Sequence, residues 1–331
     1  MHVNIEKPDR NLAIEIVRVT EAAALAAARW QGRGSKEDGD QAAVDAMRQV
    51  LDTVEMDGTV IIGEGEKDEA PMLYNGESVG TGAAPKVDIA VDPIDGTRLL
   101  AEGRPGAIAV MAAAPAGMMF DPGPCVYMEK IVVGAESKGV VDLDAPLKEN
   151  LAAIAKAKGK EIRDLSVMML DRDRHEEAKR EVREAGARLQ LITDGDVAGA
   201  ILAAWEDRPE VDLMFGIGGT PEGVIAACAV KALDGEHLGR LWTRNDEERG
   251  RAIDAGYDLD QVLTADDLVR GEDAFFACTG ITSSQLLRGV HFHSNGATTQ
   301  SLVMRSKSGT VRFIEARHRF SKLRQYASIA Y

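Results

Sequence analysis

The chain has 331 residues and 45% hydrophobic content, enough for one large or two moderate domains with a real core. Its formal net charge of −15 opposes binding to nucleic acid or to an anionic membrane, and no apolar run is long enough to span a bilayer. Met1-His2-Val3-Asn4-Ile5-Glu6-Lys7-Pro8 lacks a charged-then-apolar signal pattern, and Cys125, Cys228 and Cys278 are scattered and without a CxxC pair, so a cytoplasmic protein with no disulfide framework or zinc site is expected.

Leu12, Ile16, Val19, Ala23 and Ala27 recur at helical spacing, which predicts a helix over 10–30 ended by Gly32 and Gly34. Gln41 to Val54 reads as a second helix with Asp40 as its N-cap. Strands are predicted at 59–63, 87–92, 107–113 and 125–133, and the Met- and Ala-rich stretch 108–119 reads as core. Pro146 opens a helix through about Lys158. Then come strand 165–170, helix 175–185, strand 187–192, helix 196–206, strand 211–215 and helix 221–233, the βαβ rhythm of a parallel sheet. Residues 273–279, 289–293, 299–305 and 310–315 read as further strands that chain order alone does not assign to a sheet. The class is α/β, with a first domain at 1–150 and a second at 151–331.

The chemistry concentrates at one strand end. Lys86-Val87-Asp88-Ile89-Ala90-Val91 runs into Asp92-Pro93-Ile94-Asp95-Gly96-Thr97. Pro93 keeps Asp92 extended, and Gly96 permits a tight turn. Two carboxylates and a hydroxyl at a strand's carboxyl end form an all-oxygen cluster suited to Mg²⁺ or Mn²⁺. A single Asp here would be an ordinary turn residue.

This hexapeptide resembles the metal-binding signature of the lithium-sensitive sugar and inositol phosphatase superfamily. Four further segments narrow the likeness: Gly32-Arg33-Gly34-Ser35-Lys36, the Gly63-Glu64-Gly65-Glu66 turn continuing to Tyr74, Asp194-Gly195-Asp196-Val197, and Gly216-Ile217-Gly218-Gly219-Thr220-Pro221-Glu222-Gly223-Val224. In this order they resemble the GlpX-type class II fructose-1,6-bisphosphatases over nearly the whole chain. The resemblance implies a layered α/β/α/β/α fold with the site between two sheet-bearing domains, the first metal-binding and the second sugar-phosphate-binding. It implies Mn²⁺ or Mg²⁺ held by Asp40, Glu64, Asp92, Asp95 and Glu222, with Thr97 and Asp95 in the catalytic step. Substrate contacts would come from Asp95, Gly96, Thr97, Tyr127, Arg172, Asp173, Arg174, Asp194, Gly195, Asp196 and Gly219. The implied activity is release of the 1-phosphate of fructose 1,6-bisphosphate, in gluconeogenesis or the Calvin cycle, by a homo-oligomer. Sedoheptulose 1,7-bisphosphate is a possible second substrate. An inositol-monophosphatase-like enzyme and a non-catalytic sugar-phosphate sensor are the alternatives.

Several residues also have plain readings. Asp40 and Glu222 sit where helix-terminus acids are common, and Arg172 and Arg174 suit a charged helix start. Pro221 places Glu222 in a first turn, beside backbone donors that favour an anion. Lys130 is three residues beyond Tyr127, hence on the opposite face of a regular strand and a weaker phosphate candidate. Asp38 competes with Asp40, because the loop has Ser35 where the family usually has an acid. Glu66, Asp68 and Glu69 read as solvated charges. His291 and His293 share a strand face but have no third soft ligand.

Overall fold

The computed structural model describes residues 10–65, 72–208 and 210–325, and their strands form one eight-stranded and one six-stranded sheet. The chain opens with α1 (Leu12–Ala27), capped by the Asn11 side chain, and α2 (Lys36–Leu51), capped by Ser35, whose hydroxyl accepts from the Asp38 N–H. The second helix therefore begins before the expected Gln41, and Asp40 lies inside it rather than at its N-cap. A hydroxyl cap followed by Glu37 and Asp38 in the first turn is a strong helix start. Gly39, which weakens an isolated helix, is useful here: a Cβ at this position would stand 3.1 Å from Leu100 and 3.4 Å from Trp30.

The first sheet begins with β1 (Asp57–Ile62), β2 (Ser78–Val79), β3 (Lys86–Asp95) and β4 (Ile108–Pro115), with the short α3 (Thr97–Ala101) between the last two. The chain then builds the second sheet from β5 (Tyr127–Val133), β6 (Ser166–Leu170), β7 (Arg188–Ile192), β8 (Leu213–Gly219), β9 (Glu236–Trp242) and β10 (Leu263–Thr264). Its helices are α4 (Leu147–Lys158), α5 (Glu176–Ala185), α6 (Val197–Ala204), α7 (Thr220–Ala232), α8 (Asp246–Asp254) and α9 (Ala265–Leu268). Finally β11 (Phe275–Gly280), β12 (His291–His293), β13 (Gly296–Arg305) and β14 (Thr310–Arg319) return to the first sheet, before α10 (Phe320–Leu323). The orders are β12-β13-β11-β4-β3-β1-β2, with β14 on β13, and β10-β9-β5-β8-β6-β7.

The parallel rhythm expected after residue 165 is present, since β6 pairs parallel with both β7 and β8. The sheet is nevertheless mixed, because β5 pairs antiparallel with β8 and β9. Three apolar layers run through the molecule. One joins α1 and α2 to a face of the first sheet through Leu12, Ile16, Met47, Val60, Ile89 and Val91. A second fills the space between the sheets, where α6 and α7 lie, and a third packs α4 and α5 beneath the second sheet. The order is α/β/α/β/α. β4 is covered on both faces, so Ile108 to Ala114 is apolar throughout instead of alternating. All three cysteines are free and buried. Among the described residues no helix is long and apolar enough to cross a membrane.

Candidate active site

Strand ends from both sheets meet at a cleft of about 490 Å³. At the end of β3 the pairing with β4 shifts register between Asp92 and Asp95, and the Ile94 N–H donates to Asp92 Oδ1 at 3.0 Å. This local turn brings both carboxylates to the cleft, where strict alternation would separate them. Gly96 then takes a left-handed φ of 97°, and Thr97 begins α3 facing the cleft. Glu64 follows β1, its N–H donating to the Leu73 carbonyl. Gly63 must lack a side chain, since a Cβ would lie 1.8 Å from that carbonyl oxygen. Asp40 reaches the cleft from α2 and hydrogen-bonds Glu64. Asp38 is exposed and is not part of the lining, so Asp40 is the acid that the fold brings to this point.

The opposite wall comes from the second sheet. Asp194, Gly195 and Asp196 follow β7, and Glu222 enters from the first turn of α7. Asp95 Oδ2 accepts from the Val197 N–H at 3.2 Å, tying the β3 motif to α6 across the sheets. Beneath these acids lies Lys130, 2% exposed, which donates to Asp196 Oδ2 at 2.5 Å and to the Gly219 carbonyl at 3.0 Å. Lys130 is thus a buried counter-charge under the site rather than a surface phosphate ligand.

Burial, with repulsion from Asp95, Glu222 and Glu64, drives the Asp92 pKa well above the carboxylate range. Burial also raises Asp95 strongly, with Asp196, Glu222 and Asp194 adding repulsion. Glu64 is pushed up to about 8 by burial and by Asp40, and burial raises Asp40 and Glu222. Such a cluster favours the binding of positive charge, whether protons or a metal. The donors are all oxygen, and Glu222 Oε2 is buried without a hydrogen-bond partner. The residues therefore fit a hard divalent cation. Among the described residues no three acidic, imidazole or thiol groups already converge as a closed cage, so a cation would have to draw these arms together.

Cations occupy the other end. Arg172 donates through Nη1 to the Thr193 carbonyl at 2.7 Å, and Arg174 donates through Nε and Nη2 to the Ile217 carbonyl at 3.2 and 2.7 Å. His175, missed in the sequence as a structural element, braces this segment. Its Nδ1 lies 2.8 Å from the Leu170 carbonyl and its Nε2 accepts from the Ile217 N–H at 2.8 Å. Burial lowers its pKa, which keeps the ring neutral and able to accept.

Of the candidate residues, Asp40, Glu64, Asp92, Asp95, Gly96, Thr97, Tyr127, Arg172, Arg174, Asp194, Gly195, Asp196, Gly219 and Glu222 all line this one cleft. Asp173 does not line it and opens the turn before α5. Glu66, Asp68 and Glu69 lie outside the described residues. His291 and His293 are exposed on β12 and are not part of the cleft lining.

A family model described as bacterial fructose-1,6-bisphosphatase, glpX-encoded, matches residues 10–318. The fructose-1,6-bisphosphatase 1 class 2 of Escherichia coli strain K12 is 47% identical over 322 residues, covering 93% of this chain and 95% of that protein. The class 2 fructose-1,6-bisphosphatase of Shigella flexneri matches with the same identity and coverage.

Proposed function

This chain belongs to the glpX-encoded bacterial fructose-1,6-bisphosphatase family, and on that premise we propose that it hydrolyses fructose 1,6-bisphosphate at the 1-phosphate, with Mn²⁺ or Mg²⁺ bound, to give fructose 6-phosphate. The observation that carries this reading is the meeting, in one cleft, of an acid cluster at one end and two arginines at the other. A bisphosphate has two anionic ends, and this cleft offers each a different kind of partner.

In this reading Asp40, Glu64, Asp92, Asp95 and Glu222 hold the metal. A bound divalent cation supplies charge neutralisation at the phosphate and acidifies water. The chain's own residues do the rest. Thr97 both donates and accepts hydrogen bonds, so its hydroxyl orients the attacking water toward phosphorus. Asp95, from the same strand-end turn, acts with Thr97 in the catalytic step. Arg172 and Arg174 have their guanidinium planes fixed by backbone carbonyls and turn their remaining N–H donors to the distal phosphate. Gly219 leaves room for the Glu222 carboxylate, since a Cβ there would lie 1.6 Å from Glu222 Oε2. Asp194 and Asp196 accept from sugar hydroxyls. Assembly as a homo-oligomer in the cytoplasm completes the proposal.

The test is phosphate release by chelator-stripped protein from fructose 1,6-bisphosphate, sedoheptulose 1,7-bisphosphate and inositol 1-phosphate, with Mg²⁺ or Mn²⁺ restored. Metal-dependent turnover of fructose 1,6-bisphosphate is expected. Turnover of sedoheptulose 1,7-bisphosphate would widen the substrate class, whereas turnover of the inositol ester alone would overturn the reading.

A further inference from the structure

Arg244 has no part in the reading above, yet it is built onto Tyr127. It follows β9 directly, and Tyr127 pairs with Trp242 of β9 on one side and Gly219 of β8 on the other. The Arg244 guanidinium carbon lies 5.2 Å from the Tyr127 ring centroid. The Arg174 guanidinium carbon stands 5.3 Å from the same ring, and Trp242 packs against it edge-on at 6.1 Å.

Arg244 is held in place by one carboxylate. Glu248 accepts from the Arg244 backbone N–H at 2.8 Å, from Nε at 2.6 Å and from Nη2. Glu248 is fixed in turn by its own N–H, which donates to the Asn245 side chain that caps α8. The exposed arginine is therefore clamped by a side chain that is itself 5% exposed.

We propose that Arg244 is a positioning residue for substrate binding, acting through Tyr127. The two guanidinium groups and the Trp242 edge confine the Tyr127 ring between them. Arg244 thus holds the Tyr127 ring, and with it the phenol, in place at the cleft wall that Arg174 shares. The inference rests on the sugar-bisphosphate reading and adds a residue to it.

A double-mutant cycle tests this with steady-state phosphate release and with calorimetric binding of fructose 6-phosphate. Arg244→Ala and Tyr127→Phe should each raise KM by about tenfold, with a smaller fall in kcat, because the first frees the ring that carries the phenol and the second removes the phenol itself. The double variant should also be raised about tenfold, not a hundredfold. Glu248→Gln should raise KM by about threefold, and Arg244→Lys should recover part of the loss. If Arg244→Ala does not fold, Arg244→Gln keeps the stem and replaces it in the cycle. A KM within twofold of wild type, or effects that multiply in the double variant, would overturn the inference while leaving the bisphosphatase reading intact. Wild-type protein that binds fructose 6-phosphate but releases no phosphate from the bisphosphate would void that reading. The cycle would then be scored on binding constants.

Discussion

Replacing Gly219 by Ala separates the site from the fold. Gly219 has φ −64° and ψ 139°, a conformation open to any residue, so the backbone accepts Ala without strain. A Cβ there would lie 1.6 Å from Glu222 Oε2 and 2.5 Å from its carboxyl carbon. The carboxylate must withdraw by well over an ångström. That oxygen makes no hydrogen bond, so its movement surrenders none. Gly→Ala at a compatible φ also stabilises by about 0.4–1 kcal/mol through the unfolded state, which offsets the repacking. The net change in unfolding free energy should stay within about 1 kcal/mol. Catalysis should not survive as well: a displacement of about 1 Å at a reacting centre costs on the order of a hundredfold, or ~2.7 kcal/mol of activation free energy. Phosphate release and Mn²⁺ affinity by calorimetry, measured beside urea unfolding, give the result. Activity and Mn²⁺ affinity within threefold of wild type would refute the role given to Glu222. Loss of activity accompanied by unfolding would refute the claim that the two are separable.

Asp92→Asn should lower kcat/KM by at least about a hundredfold and weaken Mn²⁺ binding, with chelation of the wild type giving a comparable loss that added metal reverses; wild-type turnover by the variant would sink the metal assignment. Lys130→Met strands Asp196 without the partner at 2.5 Å, and loss of one member of a buried pair costs about 3–5 kcal/mol. Urea unfolding in metal-free buffer should show that loss, and a change under ~1 kcal/mol contradicts it. Glu21, 9% exposed in α1, titrates near 7 in the fold because burial raises its pKa from the ordinary 4.5, with Thr299 and Arg18 opposing. The folded state then binds its proton more tightly than the unfolded chain. Stability contributed by that proton is full below pH 4.5 and is lost as pH rises through about 7, roughly 3 kcal/mol in all. Glu21→Gln should remove this slope and unfold at higher urea than wild type at pH 8. Parallel pH profiles for the two proteins would show that Glu21 is ionised in the fold.

The strand-end acids were legible because they share one motif. Asp92 and Asp95 need only a strand that stops and a turn that bulges, and Pro93 and Gly96 encode both. Asp40 was placed correctly in the cleft but wrongly as an N-cap. Apolar periodicity begins after Gly39, whereas the helix begins with the Ser35 hydroxyl. β9 was missed since in Glu236-His237-Leu238-Gly239-Arg240-Leu241-Trp242 polar and apolar residues do not alternate and Gly239 interrupts the run. Missing β9 hid Arg244 as well, although Asn245 and Glu248 at capping spacing were signals of the helix that orients it. Lys130 shows the limit most clearly. Alternation rightly set it on the face opposite Tyr127. That this face looks onto Asp196 and Gly219 is decided by α6 and β8, whose placement no local pattern carries.

A net charge of −15 opposes an anionic ligand at long range, and the cleft resolves the conflict by sorting charge along its length. At the acid end the buried cation among the described residues is Lys130, and it is held by Asp196. At the other end Arg174 is oriented by the Ile217 carbonyl rather than by a carboxylate, so its charge is fixed in space without being neutralised. Arg172 is held chiefly by the Thr193 carbonyl, with Asp194 at 3.5 Å. Burial lowers the Arg174 pKa, with Arg172 adding to the shift and Tyr127 and Asp196 opposing it. A phosphate bound there gives Arg174 a counter-charge directly, whereas in the proposed reading a phosphate at the acid end meets carboxylates that a bound metal would neutralise. The two ends of a bisphosphate are therefore inequivalent to this cleft, and the proposed reading puts the ester that is cut on the acid side.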